Sequence, residues 1–206
     1  MYIPKYYEEK DWNEIEQLIR EHGFATLIGA QNQEPIAAHI PLELSKNEAG
    51  EWILAGHVSR ANSIWKSFEA DQNVLAIFMG PHAYVSPSWY NHRNVPTWNY
   101  KAVHVYGKPR ILKDEELKAA LSKMMDRYEH LHAEHPMKME EAPADMLQKD
   151  INGLVAFEIK IDRIEAASKL SQNRDAESYQ NVIDHLKTSD AYDSKKIAGE
   201  MEKRKK

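Results

Sequence analysis

The residues with the most evident chemistry lie in an aromatic window that runs from Met79 to Tyr90 and continues from Val95 to Tyr100. The window holds two tryptophans and three tyrosines among small hydroxyl and amide side chains, and three prolines interrupt it. Proline restricts the backbone and removes a donor, which favours an ordered loop between strands. Rigid aromatic rings beside polar groups suit a flat heterocycle with polar edges, so the window predicts a ligand site. Simple packing at strand ends is the alternative.

Two other polar segments have the character of an anion site. From Gly56 to Lys66 a predicted strand passes directly into a helix with Ser59 as its N-cap, and such a helix end presents free N–H groups to a phosphate. From Lys169 to Arg174 two cations and two amides share a loop without periodicity. Ordinary capping and a solvated connector are the respective alternatives. The sequence alone leaves open whether the three segments converge.

The histidines carry a weaker signal. His130, His132 and His135 lack the i, i+4 spacing of a helical zinc pair, so no metal site is predicted. A haem is an alternative cofactor, since one histidine can serve as its axial ligand. The candidates, among which spacing does not choose, are His39, His57, His82 and His104.

Several classes of chemistry are excluded by what the chain lacks. It has no cysteine, which removes disulfides, thiol nucleophiles and cysteine-bound metal centres. Neither a glycine-rich dinucleotide motif nor a P-loop motif occurs. Ser86 and Ser88 flank Pro87 without a nucleophile-elbow motif, which favours turn hydrogen bonding. Any redox chemistry would therefore need a bound cofactor.

Length and charge limit the partners. The chain has 206 residues and a formal net charge of −5, which gives no overall attraction to nucleic acid. Strands separate the predicted helices, so no helix-turn-helix is expected, and the charged end from Glu202 to Lys206 predicts DNA binding that is at most weak or indirect. The N-terminus lacks an apolar signal region, and no apolar run approaches the ~20 residues of a membrane span. A cytoplasmic protein without a membrane partner is expected.

Hydrophobic periodicity predicts a mainly β fold with peripheral helices. Helices are expected from Asp11 to Gly23, from Ser59 to about Ala70, from Asp114 and from Asp175. Strands are expected over 24–31, 35–44, 51–58, 74–79, 83–90, 102–112 and 153–162. About six antiparallel strands favour a small closed or nearly closed barrel, because closure removes exposed sheet edges, with an α+β sandwich as the alternative. A single domain, 1–206, is predicted, with a helical insertion at 114–150 and a C-terminal helix and charged tail at 175–206.

The same segments resemble the PaiB family, described as FMN-binding negative transcriptional regulators or protease synthase and sporulation negative regulatory proteins. The resemblance extends from about Met1 to Leu186 and does not include the charged tail after Thr188. It implies a split β-barrel related to flavin reductases and pyridoxamine-phosphate oxidases, which forms a homodimer with FMN sites at the subunit interface. The motifs that carry it are His39-Ile40-Pro41-Leu42, Gly56-His57-Val58-Ser59-Arg60-Ala61-Asn62, Val85-Ser86-Pro87-Ser88-Trp89-Tyr90, Val95-Pro96-Thr97-Trp98-Asn99-Tyr100 and Lys169-Leu170-Ser171-Gln172-Asn173-Arg174.

The resemblance also implies roles for individual motif residues. Those expected near the flavin ring are Trp89, Trp98, Asn99 and Tyr100, with Ser86, Ser88 and Thr97 beside them. Those expected at the ribityl-phosphate are His57, Ser59, Arg60, Asn62 and Lys66. The residues expected to close the site, from either subunit, are Gln172, Asn173 and Arg174.

Two classes of function follow from the resemblance. The favoured one is a regulator that represses degradative-enzyme and sporulation genes and senses or carries FMN. The alternative is a flavin-dependent oxidoreductase or a haem-handling protein.

Overall fold

A computed structural model describes residues 1–70 and 72–204. Seven strands form one antiparallel sheet in the order β2-β1-β5-β6-β7-β4-β3. The strands are Phe24–Gln31 (β1), Glu34–Pro41 (β2), Glu43–Lys46 (β3), Trp52–Ser59 (β4), Val74–Val85 (β5), Thr97–Ile111 (β6) and Leu154–Lys169 (β7). The helices are Trp12–Glu21 (α1), Asp114–His132 (α2), Ala144–Asn152 (α3), Ala176–Thr188 (α4) and Ser194–Lys203 (α5). Short 3-10 helices occupy Lys5–Tyr7, Ser63–Ala70, Pro87–Trp89 and Met139–Glu141.

The first hairpin shows how local chemistry sets the register. Asn32 and Gln33 connect β1 to β2 with φ angles of 52° and 68°. A two-residue turn with both central residues at positive φ matches the right-handed twist of the flanking strands. It pairs Gln31 with Glu34 and, seven residues back along β1, Phe24 with Pro41. The predicted strand 24–31 is confirmed at both ends.

Several strands differ from their predicted bounds. The predicted strand 35–44 is two strands, β2 and β3, and the predicted strands 74–79 and 83–90 are one strand, β5. The split and the merger cancel, so the seven predicted segments correspond to a sheet of seven strands, where a barrel of about six was expected. Gly80 lies inside β5, and a Cβ there would lie 3.0 Å from Cδ1 of Leu18 and 3.1 Å from the carbonyl oxygen of Lys101, so the absence of a side chain permits this close approach. Strand β6 begins five residues before the predicted start at 102, and β7 continues seven residues beyond the predicted end at 162.

Two helix predictions also need correction. Ser59 is the last residue of β4, and the helix after it is a 3-10 helix that begins at Ser63. The hydrogen bond that caps its first turn comes from Asn62, whose Oδ1 accepts from the N–H of Ile64 at 3.0 Å. The segment predicted as a charged tail contains α5, which buries Ser194, Ile197, Ala198 and Met201 along one face.

The chain divides into two compact units, which are described separately below. Unit 1 comprises Met1–His22, Phe78–His104 and 165–204, and its core joins the ends of β5 and β7 to α4 and α5. Unit 2 comprises Gly23–Ile77 and Val105–Ile164, and one of its core clusters lies under α2. The prediction of a single domain stays a prediction. None of the described helices combines the length and the apolar character needed to cross a lipid bilayer.

Candidate functional site

The strongest candidate site in unit 1 lies where β7 ends and turns toward α4. Ser171 adopts a φ of 62°, and the amide of Gln172 secures the turn by accepting from the N–H of Leu170 at 2.7 Å and donating to the carbonyl of Ser168. Asp175 then caps α4 by accepting from the N–H of Ser178. The turn therefore fixes the positions of Lys169, Asn173 and Arg174. The side-chain amide of Gln172 is used in hydrogen bonds that stabilise the turn.

Side chains from three other segments meet these residues. The ammonium of Lys169 donates to Oγ1 of Thr97 at 2.6 Å. The guanidinium of Arg174 lies 4.5 Å from the ring centroid of Tyr90. The hydroxyl of Tyr7 donates to Oδ1 of Asn173 at 3.1 Å. We call these six residues, Tyr7, Tyr90, Thr97, Lys169, Asn173 and Arg174, the Lys169–Arg174 cluster.

The electrostatics of the Lys169–Arg174 cluster are unbalanced. In the part of the chain that the structure describes, no carboxylate lies within salt-bridge distance of either cation, and Nε of Arg174 and the hydroxyl of Tyr90 are buried without a hydrogen-bond partner. Burial, together with the positive charge of Arg174, lowers the pKa of Lys169. Burial likewise raises the pKa of Tyr7. Two half-buried cations beside neutral phenols offer charge and donors to an anion such as a phosphate monoester.

The tryptophans of the aromatic window lie elsewhere. Successive residues of a strand point to opposite faces, so Trp98 faces away from Thr97 and from the Lys169–Arg174 cluster. Trp98 is 40 % exposed and packs against Tyr192, His82 and Tyr84, with ring centroids 5.0–6.0 Å apart. Trp89 stacks on His185 at 5.0 Å. Within one copy, a ligand held by the cations does not lie on the face that carries Trp98.

The remaining predicted residues of the window have structural contacts. Asn99 is fully buried; its Oδ1 accepts from the hydroxyl of Ser171 at 3.1 Å and its amide donates to the sulfur of Met201. Ser86 and Ser88 share a hydrogen bond at 2.8 Å in the turn at Pro87. Tyr100 is half-buried and contributes to the raised pKa of Tyr7. Cofactor contacts of these residues stay predictions.

In unit 2, the predicted phosphate segment uses its polar groups locally. The guanidinium of Arg60 donates to the carbonyls of Asn152 at 2.9 Å and Leu154 at 2.8 Å. Ser59 Oγ accepts from the N–H of Ala61, and Lys66 is exposed. A cavity of about 610 Å³ lies beside Arg60 and is lined by both cations and carboxylates, including Lys113, Lys118, Asp114 and Glu115. Three cations, Arg60, Lys113 and Lys118, thus face two carboxylates, and the guanidinium of Arg60 is already bonded to two backbone carbonyls.

The histidines have separate surroundings. The ring of His130 pairs with the carbonyl of Asp126, and that of His132 stacks on Tyr128. Burial lowers the pKa of His57 and of His104. Over residues 1–70 and 72–204, no group of three histidine or acidic side chains is arranged to hold a metal ion.

Sequence reasoning missed three members of the Lys169–Arg174 cluster as site residues: Tyr7, Tyr90 and Lys169. Lys169 begins the fifth motif and Tyr90 ends the third, so a signal existed for both. Tyr7 is 166 residues from its partner Asn173, and no local pattern connects them.

Comparison with known proteins places the chain in a family. Residues 1–163 match the family model described as "Putative FMN-binding domain". The protein "Protease synthase and sporulation protein PAI 2" of Bacillus subtilis is 41 % identical over 202 residues, which cover 98 % of this chain and 97 % of the relative. An uncharacterized protein of Saccharomyces cerevisiae, YKL070W, is 30 % identical over 65 % of this chain and 94 % of its own length.

Solved structures show the same fold at low identity. The FAD and heme binding protein from Mycobacterium smegmatis matches with a TM-score of 0.62 at 15 % identity, covering 84 % of this chain and 78 % of that one. The flavocytochrome Anf3 from Azotobacter vinelandii matches with a TM-score of 0.58 at 17 % identity, covering 87 % and 78 %. The predicted split-barrel fold class is confirmed. The chain therefore belongs to the PaiB family of FMN-binding-domain proteins.

Proposed function

We propose that the protein binds flavin in the form of FMN and acts as a PaiB-type negative regulator of protease synthesis and sporulation. Family membership, the description of the matching family as an FMN-binding domain and the name of the Bacillus relative support this proposal. The two fold relatives are named for flavin or haem binding. The observation that carries the flavin part is the Lys169–Arg174 cluster, whose two half-buried cations have no carboxylate partner in the described part of the chain.

The donor set of the cluster fits the phosphate of FMN. Lys169 and Arg174 supply the charge, and the unpartnered Tyr90 hydroxyl and Arg174 Nε supply donors that are already desolvated. Asn173, whose Oδ1 is held by Tyr7, keeps its amide N–H groups for the ligand. A bound flavin would supply one- and two-electron redox chemistry.

The ring of the flavin needs a second surface. Because Trp98 faces away from the cluster within one copy, we propose that the protein forms a homodimer and that the exposed rings around Trp98 in one copy contact a flavin held by the cations of the other. Exposed aromatic patches with polar rims are typical of interfaces and ligand grooves. Light scattering at micromolar concentration should show a dimer, and a monomer would contradict this arrangement.

The flavin proposal is tested by titrating the full chain with FMN and following flavin fluorescence. A charge-assisted hydrogen bond contributes ~1.5–3 kcal/mol, so Arg174→Gln should weaken binding about tenfold or more. Arg93→Gln, which removes an exposed arginine from the same unit, is the matched control and should bind as the wild type does. Unchanged flavin fluorescence with the wild type would overturn the proposal.

The regulatory part has its own test. With a net charge of −5, the chain neutralises few phosphates, so DNA binding should be weak, salt-sensitive and largely independent of sequence. Repression would then act through a partner protein or a small molecule. Tight, salt-resistant binding to one promoter fragment would instead show direct operator contact. Steady NAD(P)H oxidation that depends on added FMN would favour the oxidoreductase alternative, and a Soret band on adding haemin would favour haem handling.

A further inference from the structure

A second pocket lies within unit 2, apart from the Lys169–Arg174 cluster. It is an open groove with a volume of about 260 Å³, bordered by β4, α2, the 3-10 helix Met139–Glu141, α3 and the start of β7. Its wall is almost wholly apolar. The lining residues are Leu121, Met124, Met125, Met139, Leu147, Ile151 and Leu154, with His57, Tyr128 and Asp150 as the polar members.

His57 is an unusual member of this wall. It is half-buried on β4, and its Nδ1 is buried without a hydrogen-bond partner in the described part of the chain. Burial lowers its pKa, and no charged group contributes to the shift. The imidazole is therefore neutral at neutral pH and retains unused hydrogen-bonding capacity.

The other walls select against charge. A charged ligand would lose its hydration against apolar side chains, which is costly without a partner. Asp150 adds a negative charge at the pocket and repels anions. The three methionines are unbranched and polarizable, so they adapt to ring systems of different outline. A phosphate next to a neutral His57 finds no countercharge here.

We propose that this pocket binds a small, neutral aromatic molecule with one hydroxyl or ring N–H group, which forms a hydrogen bond with the imidazole of His57. The apolar side chains and the methionine sulfur atoms pack against the aromatic ring, and the hydrogen bond to His57 sets the orientation of the ring. Pockets of this kind, apolar with a few convergent polar groups, are typical of small-molecule sites. The site goes beyond the proposed flavin site and assigns His57 a ligand other than phosphate.

The test uses p-cresol as the probe and toluene as its match without the hydroxyl. Both are titrated into the full chain, and binding is followed by amide chemical shifts of β4, α2 and α3. The hydroxyl should improve affinity about fivefold, the usual net contribution of one neutral hydrogen bond. The anion p-toluate should not bind. Equal affinity for p-cresol and toluene, binding of p-toluate, or unchanged shifts at millimolar p-cresol would each overturn the proposal.

Two variants locate the effect. His57→Leu should reduce p-cresol affinity about fivefold and leave toluene affinity unchanged. Met125→Trp should fill the space and weaken both probes. Circular dichroism checks that each variant folds. If a variant does not fold, the comparison of p-cresol with toluene on the wild type still tests the proposal. FMN should bind wild type and Met125→Trp equally, and displacement of FMN by p-cresol would show that the pocket is part of the flavin site.

Discussion

Lys101 on β6 and Lys169 on β7 both belong to unit 1, and they differ in whether a carboxylate neutralises the positive charge. The ammonium of Lys101 contacts Oε2 of Glu14 at 2.9 Å and Oε2 of Glu200 at 2.6 Å. The ammonium of Lys169 donates to a threonine hydroxyl and has another cation, Arg174, as the charged neighbour that shifts its pKa. A buried charge costs free energy unless it is paired. Lys101 is thus a structural charge that joins α1, β6 and α5, whereas the charge of Lys169 is available to a ligand.

The same contrast separates two segments that the sequence predicts as phosphate sites. Arg60 donates to two backbone carbonyls and thereby joins the end of β4 to the end of α3 and the start of β7. Arg174 has an unpartnered, buried Nε and a tyrosine ring beside it. A cation inside a polar motif is therefore a poor indicator of ligand binding until its partners are known.

The largest expected effect comes from removing the paired lysine. Lys101→Met removes the buried cation that Glu14 and Glu200 share and leaves them only the more exposed Arg204 and Lys203. Breaking a largely buried pair costs ~3 kcal/mol of unfolding free energy. Urea denaturation measures the loss. Lys195→Met, which removes an exposed pair with Asp190, is the control and should cost well under ~1 kcal/mol. Equal losses in the two variants would show that the Lys101 pair is not structural.

Removing Lys169 and Arg174, the two cations of the cluster, should reduce FMN affinity and leave the stability of the fold intact. The double variant Lys169→Gln/Arg174→Gln should lose FMN affinity about a hundredfold or more, since two charge-assisted contacts disappear. Its unfolding free energy should not fall, because a repulsion between cations is also removed. Calorimetric titration and urea denaturation on the same preparation measure both. A double variant that is less stable yet binds FMN normally would reverse the roles assigned to the two lysines.

Arg60 should behave as a structural residue. Arg60→Gln frees two backbone carbonyls, and we expect a loss of ~1 kcal/mol in unfolding free energy, since the residue is exposed and its bonds compete with water. Hydrogen exchange should accelerate at the end of α3. FMN affinity should stay at the wild-type value. A tenfold loss would instead indicate that Arg60 contacts the phosphate of FMN, as the sequence predicts.

The smallest effect concerns pH. Burial lowers the pKa of Lys169 from its ordinary value of 10.5, so the charged form is disfavoured in the folded state. The resulting destabilisation is present at neutral pH and disappears as pH rises through the lowered pKa toward the ordinary one. The unfolding free energy of Lys169→Met should therefore exceed that of the wild type most at neutral pH, with the difference narrowing in alkali. A difference that widens with pH would contradict the direction of the shift.

Elements with strong local signals were predictable. β1 has a clear turn after it, and the caps Asp11 and Asp175 start α1 and α4 as predicted. α5 was not predictable because its buried face, Ser194, Ile197, Ala198 and Met201, is too small and polar to stand out in a charged segment. That helix packs against α4 and against Ala83, Val85 and Tyr90, which lie about a hundred residues earlier in the chain, and the periodicity of a short segment does not reveal such partners.

The sequence by itself determined the family, the β-rich fold class and the loop that carries Lys169, Asn173 and Arg174, because motifs and local periodicity are written in neighbouring residues. Only the tertiary structure decided which polar groups already have a hydrogen-bond or ion-pair partner within the protein and which can still bind a ligand. Tyr7 reaches Asn173 across 166 residues, Glu14 and Glu200 neutralise Lys101, and no carboxylate in the described residues reaches Lys169. Charge compensation is a property of distances in space, and strand pairing and helix docking set those distances.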